Sequence, residues 1–209
     1  MTAVAAPLVF VVDDDPPVRK SLARLVRTAG YDVAALESGR EFLARPRPDG
    51  PCCLVLDVRM PGLTGPELQK MLASAGRGLS IVFITGYGDL QEGVRAMKAG
   101  AIDFLTKPVN AKELLDAIER GVARARAAWQ AQAEATELRD RIQTLTPREA
   151  EVFALVVTGM LNKQIAAQLG VGEKTIKVHR AQVMKKMQAG SLAELVQLAG
   201  RGGVITAKS

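Results

Sequence analysis

Cys52-Cys53-Leu54-Val55-Leu56-Asp57-Val58-Arg59-Met60-Pro61-Gly62 is the stretch that decides the fold. Its first five residues are apolar without alternation, as in a strand buried on both faces. An acid stands at the end of that run, and Pro61-Gly62 follows as a turn, since Pro presets φ and Gly tolerates φ > 0. Outward from it, similar short apolar runs recur at 8–12, 31–36, 81–85 and 101–105. Between them, 17–29, 39–43, 65–75 and 89–99 repeat apolar residues at helical spacing, as in Leu22, Leu25, Val26 and Ala29. Five strands alternating with helices predict right-handed crossovers and a parallel, doubly wound α/β sheet covered on both faces.

In such a sheet ligands sit at the carboxyl ends of the strands. Asp13, Asp14 and Asp15 follow the first strand, Asp57 ends the third, Thr85-Gly86 the fourth, and Thr106-Lys107-Pro108 follow the fifth. Crowded carboxylates repel unless a cation is present, and a hard divalent ion such as Mg²⁺ takes one or two carboxylates together with phosphate oxygens and water. Asp57 then suits a nucleophile that becomes an aspartyl phosphate, Lys107 a point charge for phosphoryl oxygens, and Thr85 a hydroxyl donor. Asp15, just before Pro16-Pro17, reads as a helix N-cap instead. The chain has no Gly-x-x-x-x-Gly-Lys loop and no Gly-x-Gly-x-x-Gly fingerprint, which removes the usual support for nucleotide binding.

Val12-Asp13-Asp14-Asp15, Asp57-Val58-Arg59-Met60-Pro61-Gly62, Thr85-Gly86 and Phe104-Leu105-Thr106-Lys107-Pro108 resemble the receiver domain of two-component response regulators, a flavodoxin-like fold, over about residues 6–122. The resemblance implies that Asp57 is the phosphoacceptor and Asp14 a direct Mg²⁺ ligand beside it. It implies Asp13 as a ligand through water and the backbone carbonyl of Arg59 as a further one. Thr85 and Phe104 match the family's switch pair, in which phosphorylation turns the hydroxyl toward the phosphoryl group and the aromatic ring inward. Lys107 contacts the phosphoryl group, and the Lys107-Pro108 bond matches one that is cis in the family. The aspartyl-phosphate hydrolases require a second Asp two positions after the nucleophile; Arg59 stands there.

The 209 residues carry 48% apolar and 24% charged side chains, an ordinary globular composition. No apolar run approaches the ~18 residues of a membrane helix, and the first seven residues lack the pattern of a signal peptide, so the reading is a cytoplasmic protein without membrane contact. Cys52 and Cys53, the only cysteines, are adjacent and read as small core residues rather than a disulfide or thiolate site. Residues 1–122 hold 15 Lys/Arg and 15 Asp/Glu of the total 28 and 22; residues 123–209 hold the other 13 and 7, which is the whole net charge of +6. A neutral module joined to a basic one points to a polyanion as the partner of the second. The division reads as a domain over 1–122, a helical linker over 123–143, exposed or weakly coiled-coil, and a second domain over 144–209. Trp129 in the linker suits either packing on its own domain or anchoring between domains or subunits.

Thr146-Pro147-Arg148-Glu149 carries the signature of a capped helix start: Thr as N-cap, Pro at the first position, Glu three residues after Thr. Asn162 opens a shorter helix ending before Gly170, and Val171-Gly172-Glu173 leads into a helix over 174–187. Helix, tight turn, longer helix is the helix-turn-helix pattern. Ile176, Val183 and Met187 face inward with His179 between, while Lys174, Val178, Ala181, Gln182 and Lys185, with Lys177 beside them, face outward. Such a stripe suits a major groove: Lys to phosphate or guanine, Gln to adenine, Val or Ala to a thymine methyl. Leu192, Leu195, Val196 and Leu198 predict a fourth helix closing an all-α domain.

Leu145-Thr146-Pro147-Arg148-Glu149, Asn162-Lys163-Gln164-Ile165-Ala166 and Lys174-Thr175-Ile176-Lys177-Val178-His179-Arg180 resemble the LuxR-type helix-turn-helix over about residues 144–205. The resemblance implies that Thr175 and Arg180 contact or orient on phosphates and that Lys177 and Val178 face bases. Receiver plus LuxR-type reader is similar to the NarL/FixJ class of response regulators. That implies a phosphorylation-dependent transcription regulator whose only phosphoryl chemistry is at its own Asp57. Its implied partners are a sensor histidine kinase, double-stranded promoter DNA read as paired half-sites, RNA polymerase, and a second copy of the chain upon phosphorylation. The competing reading is a phosphotransfer or protein-interaction module whose C-terminal domain binds protein.

Overall fold

A computed structural model describes residues 7–46, 48, 50–76, 78–86 and 90–202. The chain forms two compact units, Met1–Trp129 and Gln130–Ser209. In the first, β1 (Leu8–Val12), α1 (Pro16–Thr28), β2 (Asp32–Leu36), α2 (Gly39–Ala44), β3 (Cys52–Asp57), α3 (Gly65–Ser74), β4 (Ser80–Thr85), α4 (Leu90–Lys98), β5 (Asp103–Thr106) and the first part of α5 (Ala111–Gln143) follow the alternating order read from the sequence. The sheet is parallel, in the order β2-β1-β3-β4-β5. The chain leaves β1 toward one edge and returns to β3 on its other side, so the strand order reverses at the β1/β3 crevice, where ligands of such sheets bind.

Strand alternation divides the apolar residues between two cores. Phe10, Leu54, Leu56 and Phe83 pack on one sheet face with Leu36, Leu68 and Leu72. Val9, Val11, Val55, Val82 and Ile84 pack on the other with Leu22, Val26, Leu114 and Ile118. The helix starts are fixed locally. The Asp15 side chain accepts from the Val18 N–H at 3.3 Å, the cap read from sequence, and Thr64 and Glu67 close a capping box on α3. The fifth strand begins at Asp103 rather than 101. Gly100, at φ +89°, turns the chain out of α4, and the Ala101 N–H closes back onto the Ala96 carbonyl at 3.1 Å. Asp89, read as the first residue of the fourth helix, lies outside the described residues.

Gly121 is where α5 comes closest to the sheet. A Cβ there would lie 2.7 Å from the Cys53 Sγ. Cys53 is fully buried, and burial first, then the neighbouring Cys52, pushes its thiol up to about 12, which keeps it neutral. In an exposed helix Gly→Ala gains up to about 1 kcal/mol; here the methyl meets a side chain with nowhere to go. Gly121→Ala is expected to lower stability by about 1–3 kcal/mol, read as the denaturant midpoint of the first unit. A raised midpoint would show that α5 has room to move outward.

The second unit holds the last turns of α5 with α6 (Pro147–Val156), α7 (Asn162–Leu169), α8 (Glu173–Met187) and α9 (Leu192–Arg201). Its core comprises Val152, Phe153, Ile165, Ile176, Val183, Met187, Leu195 and Ala199. One sequence expectation is corrected here. The end of the segment 123–143 is not an exposed linker: Leu138 is buried in this core and Ile142 packs against it. Trp129 stands at the end of the first unit, 37% exposed.

Candidate phosphoacceptor site and nucleic-acid interface

The ends of β1, β3 and β4 and the loop after β5 bring Asp13, Asp57, Thr85 and Lys107 to one edge of the sheet. Asp13, Asp57 and Thr85 are all buried. The Lys107 Nζ lies 2.7 Å from Asp57 Oδ1 and 2.8 Å from Asp13 Oδ2, so one ammonium bridges both carboxylates. The Lys107 N–H donates to the Thr85 carbonyl at 2.7 Å, and the Lys107-Pro108 bond that follows is cis. The second Asp57 oxygen accepts from the Arg59 N–H at 2.8 Å. Asp13 Oδ1 accepts from the Asp15 N–H at 2.9 Å.

These contacts set the electrostatics. Burial pushes the Asp57 carboxyl above its usual range; the Lys107 hydrogen bond and charge pull the other way, and the Asp13 charge adds to the rise. Burial pulls the Lys107 ammonium down, but its hydrogen bonds to Asp13 and Asp57, with their charges, outweigh this and raise it. Asp14 is exposed at the rim, beside the buried Asp13. Phe104, half-buried, meets Phe83 at 6.3 Å between ring centroids.

Two residues of this site escaped the sequence reading. The Arg19 guanidinium donates to the main-chain carbonyls of Asp13 at 2.6 Å and Asp14 at 3.2 Å, pinning the loop that carries both acids. Gly65 opens α3 directly behind Asp57. A Cβ there would lie 2.5 Å from the Asp57 carbonyl oxygen and 2.9 Å from Phe83 Cε1. Neither leaves a local signal, because an arginine in a first helical turn and a glycine after a turn are ordinary.

In the second unit, Gly170 ends α7 in the left-handed region at φ +67° and the chain re-enters a helix at Glu173. Ile176, Val183 and Met187 are fully buried, leaving Lys174, Thr175, Lys177, Val178, Ala181, Gln182 and Lys185 exposed on the other side of α8. Val178, at 56% exposure, is a large aliphatic held out in water. Among the described residues Lys174, Lys177 and Lys185 have no ion-pair partner. Lys186 differs: its Nζ lies 2.6 Å from Glu149 Oε2 and donates to the Thr144 carbonyl at 2.9 Å, a structural tie from α8 to the capped start of α6. Lys186, followed by the Thr146 N–H, holds the Glu149 carboxyl below its usual range. Arg180 is half-buried and donates to Asn162 Oδ1 at 3.0 Å, joining the two helices of the motif.

An acid pair bridged by a cation thus lies at the switch point of a doubly wound sheet, in the same chain as a helix with a bare basic face. Residues 9–119 match the response regulator receiver domain, and residues 143–199 match the bacterial regulatory proteins of the luxR family. The chain is 48% identical over 197 residues to nodulation protein W of Bradyrhizobium diazoefficiens, covering 94% of this chain and 87% of that one. It is 43% identical to transcriptional regulatory protein FixJ of Rhizobium meliloti, over 93% and 96% of the two chains. The solved structure of the response regulator StyR superposes with a TM-score of 0.87 at 48% identity, covering 94% of this chain and 100% of that one. The chain therefore belongs to the two-component response regulators that join a receiver to a LuxR-type DNA-binding domain, consistent with the NarL/FixJ class. It is a transcription regulator rather than a conventional enzyme, with a histidine kinase upstream and DNA downstream. Among the described residues no helix is long and apolar enough to cross a membrane.

Proposed function

We propose that Asp57 accepts the phosphoryl group and that its occupancy governs DNA binding by α8. The observation that carries this is the bridged carboxylate: Asp57 Oδ1 on Lys107 and Oδ2 on the Arg59 N–H. In transfer, an Asp57 oxygen attacks phosphorus while the bond from phosphorus to the donor's imidazole nitrogen or acyl oxygen breaks, and the leaving group takes that electron pair. Lys107 donates to the transferred oxygens, and hydrolysis of the acyl phosphate at the same residue resets the switch. Thr85 turns its hydroxyl to the phosphoryl group and Phe104 follows inward, remodelling the surface over about 90–110 and promoting a homodimer.

Receiver domains of this family generally bind Mg²⁺ in the acidic pocket. Among the described residues no three His, Cys, Asp or Glu side chains form a metal cluster. The donor set fits this ion even so, because Mg²⁺ commonly takes one or two carboxylates and fills its shell with water and phosphoryl oxygens. Asp57, Asp14 and the Arg59 carbonyl would hold it, with Asp13 acting through water. When bound it supplies charge neutralisation between the carboxylates and the incoming phosphoryl group.

The two modules divide as a phosphoacceptor domain over 1–122 and a DNA-binding domain over 144–209, with 123–143 between them and its last turns packed into the second unit. In a cytoplasmic protein of this design, Lys174, Thr175, Arg180 and Lys185 hold phosphates while Lys177, Val178, Ala181 and Gln182 face base edges. Two copies read paired half-sites, since one small reader buries too little surface for specificity, and promoter-bound dimers contact RNA polymerase.

The test is binding to a pool of genomic fragments, comparing wild type with Asp57→Asn, each with and without a small phosphodonor and Mg²⁺. Specific binding that rises with phosphodonor only in wild type is the expected result; equal binding by both proteins overturns the regulatory half. Salt dependence separates DNA from protein as the partner. The logarithm of affinity should fall steeply and linearly with the logarithm of salt, and Lys177→Ala should reduce that slope by about one if it reaches a phosphate as well as a base edge. A flat salt response would favour the protein-binding module.

A further inference from the structure

We propose that Gly93 sets the resting position of the Phe104 ring and thereby the threshold of the phosphorylation switch. The inference rests on the reading of Phe104 as the switch aromatic. Gly93 lies buried in the middle of α4, on the face turned toward β5. A Cβ at this position would stand 3.1, 3.2 and 3.4 Å from Cδ1, Cε1 and Cγ of Phe104. The ring is therefore seated flush against the helix backbone, in space that any other residue would fill. A similar tightness recurs nearer the phosphoacceptor: a Cβ on Gly65 would lie 2.5 Å from the Asp57 main-chain carbonyl oxygen and 2.9 Å from Phe83 Cε1, and Phe83 in turn meets Phe104 at 6.3 Å between ring centroids. Two glycines thus bracket a pair of rings between the phosphoacceptor and α4.

The helix is not free to lift away and absorb a methyl group. Ala96, one turn on, is buried in the core of that sheet face. Gln69 on α3, itself buried, donates its amide toward the Ala99 carbonyl at 3.3 Å and the Ala96 carbonyl at 3.5 Å, tying the last turn of α4 to α3. Crowding at residue 93 disfavours the seat the ring occupies here, and in a two-position switch whatever disfavours one position favours the other. The missing side chain at 93 makes the resting seat comfortable, and filling it biases the ring toward the switched position.

In Gly93→Ala the better helix propensity of Ala offsets part of the crowding, Gly93→Ser carries the same Cβ as a second variant, and the denaturant midpoint of the first unit confirms that each variant is folded before its affinity is read. DNA affinity is measured with and without phosphodonor and Mg²⁺ in wild type, in both variants, and in each variant combined with Phe104→Leu. Both single variants should raise affinity without phosphodonor by roughly tenfold and shrink the phosphorylation response accordingly, and Phe104→Leu should remove that gain. A wild type that responds to phosphodonor beside variants with unchanged basal affinity overturns the inference. So does a basal gain that persists in the Phe104→Leu background. A wild type indifferent to phosphodonor sinks the switch reading itself, and the inference with it.

Discussion

Asp57→Asn is expected to erase the phosphodonor-dependent gain in DNA affinity while making the first unit more stable in magnesium-free buffer. Loss of function and gain of stability have one source. The Asp57 carboxyl is buried at the end of β3, close enough to Asp13 that both share the Lys107 ammonium. Burial first, then the Asp13 charge, hold it above its ordinary value of 3.8, against the pull of Lys107 and the Arg59 N–H. The unfolded chain restores the ordinary value. At neutral pH folding therefore keeps an ionised group where ionisation is disfavoured, and stability is lost for it. That stability returns as the pH falls through the folded value toward 3.8, where the group is protonated in both states. The advantage of Asn is greatest at neutral pH and should shrink as the pH falls through the folded value toward 3.8. Chemical denaturation at the two ends of that range reads it directly. Added Mg²⁺ should reverse the order, because it binds more tightly to, and so stabilises more, the protein that keeps the Asp57 carboxylate. A variant less stable than wild type without Mg²⁺ would mean that the pair with Lys107 stabilises the fold outright.

Lys107 does not blur the comparison. Its ammonium is held above 10.5 by the two carboxylates. Its contribution is therefore fully present below that pH and is lost only as the pH rises through the folded value. Asp13, 2.8 Å from it, remains as its partner when Asp57 is replaced.

The sheet was legible because strands buried on both faces have no room for polar residues: β1, β3 and β4 read as unbroken apolar runs, and the acids and the hydroxyl mark where they stop. Helix starts were legible at Thr146 and Asp15, where the cap is a side chain three or fewer residues from its partner. What escaped has no local pattern. Gly65, Gly93 and Gly121 matter through the residues they almost touch, namely Asp57, Phe104 and Cys53, which lie 8, 11 and 68 positions away and are brought near only by the crossovers. Arg19 acts through carbonyls that any sequence would supply. The charge of Lys186 is taken up by Glu149 from another helix, so the basic face of α8 is narrower than its composition suggests.

The end of α5 supplies the second large effect. The sequence around Leu138 and Ile142 resembles a linker because the apolar seam before them is sparse and the residues that close over them, on and just after α9, come some fifty or more positions later. Leu138 is 6% exposed in the second core, and α9 closes over this turn so tightly that a Cβ on Gly202 would lie 2.7 Å from Ile142 Cδ1. Leu138→Ala removes buried methyl groups and leaves a cavity, a change that costs about 2–4 kcal/mol. For a unit of this size that corresponds to a drop of roughly 10–20 °C in its Tm. The first unit has its own cores and should unfold unchanged, so calorimetry should show one transition moving and one staying. Gln132→Ala, on the exposed part of the same helix, should shift neither by more than about 0.5 kcal/mol. α8 packs Ile176, Val183 and Met187 into the same core as Leu138, so DNA affinity should fall with the moving transition at temperatures near it. Were Leu138→Ala to leave both transitions in place, the turn would be a linker after all, and the DNA-binding domain would begin at 144.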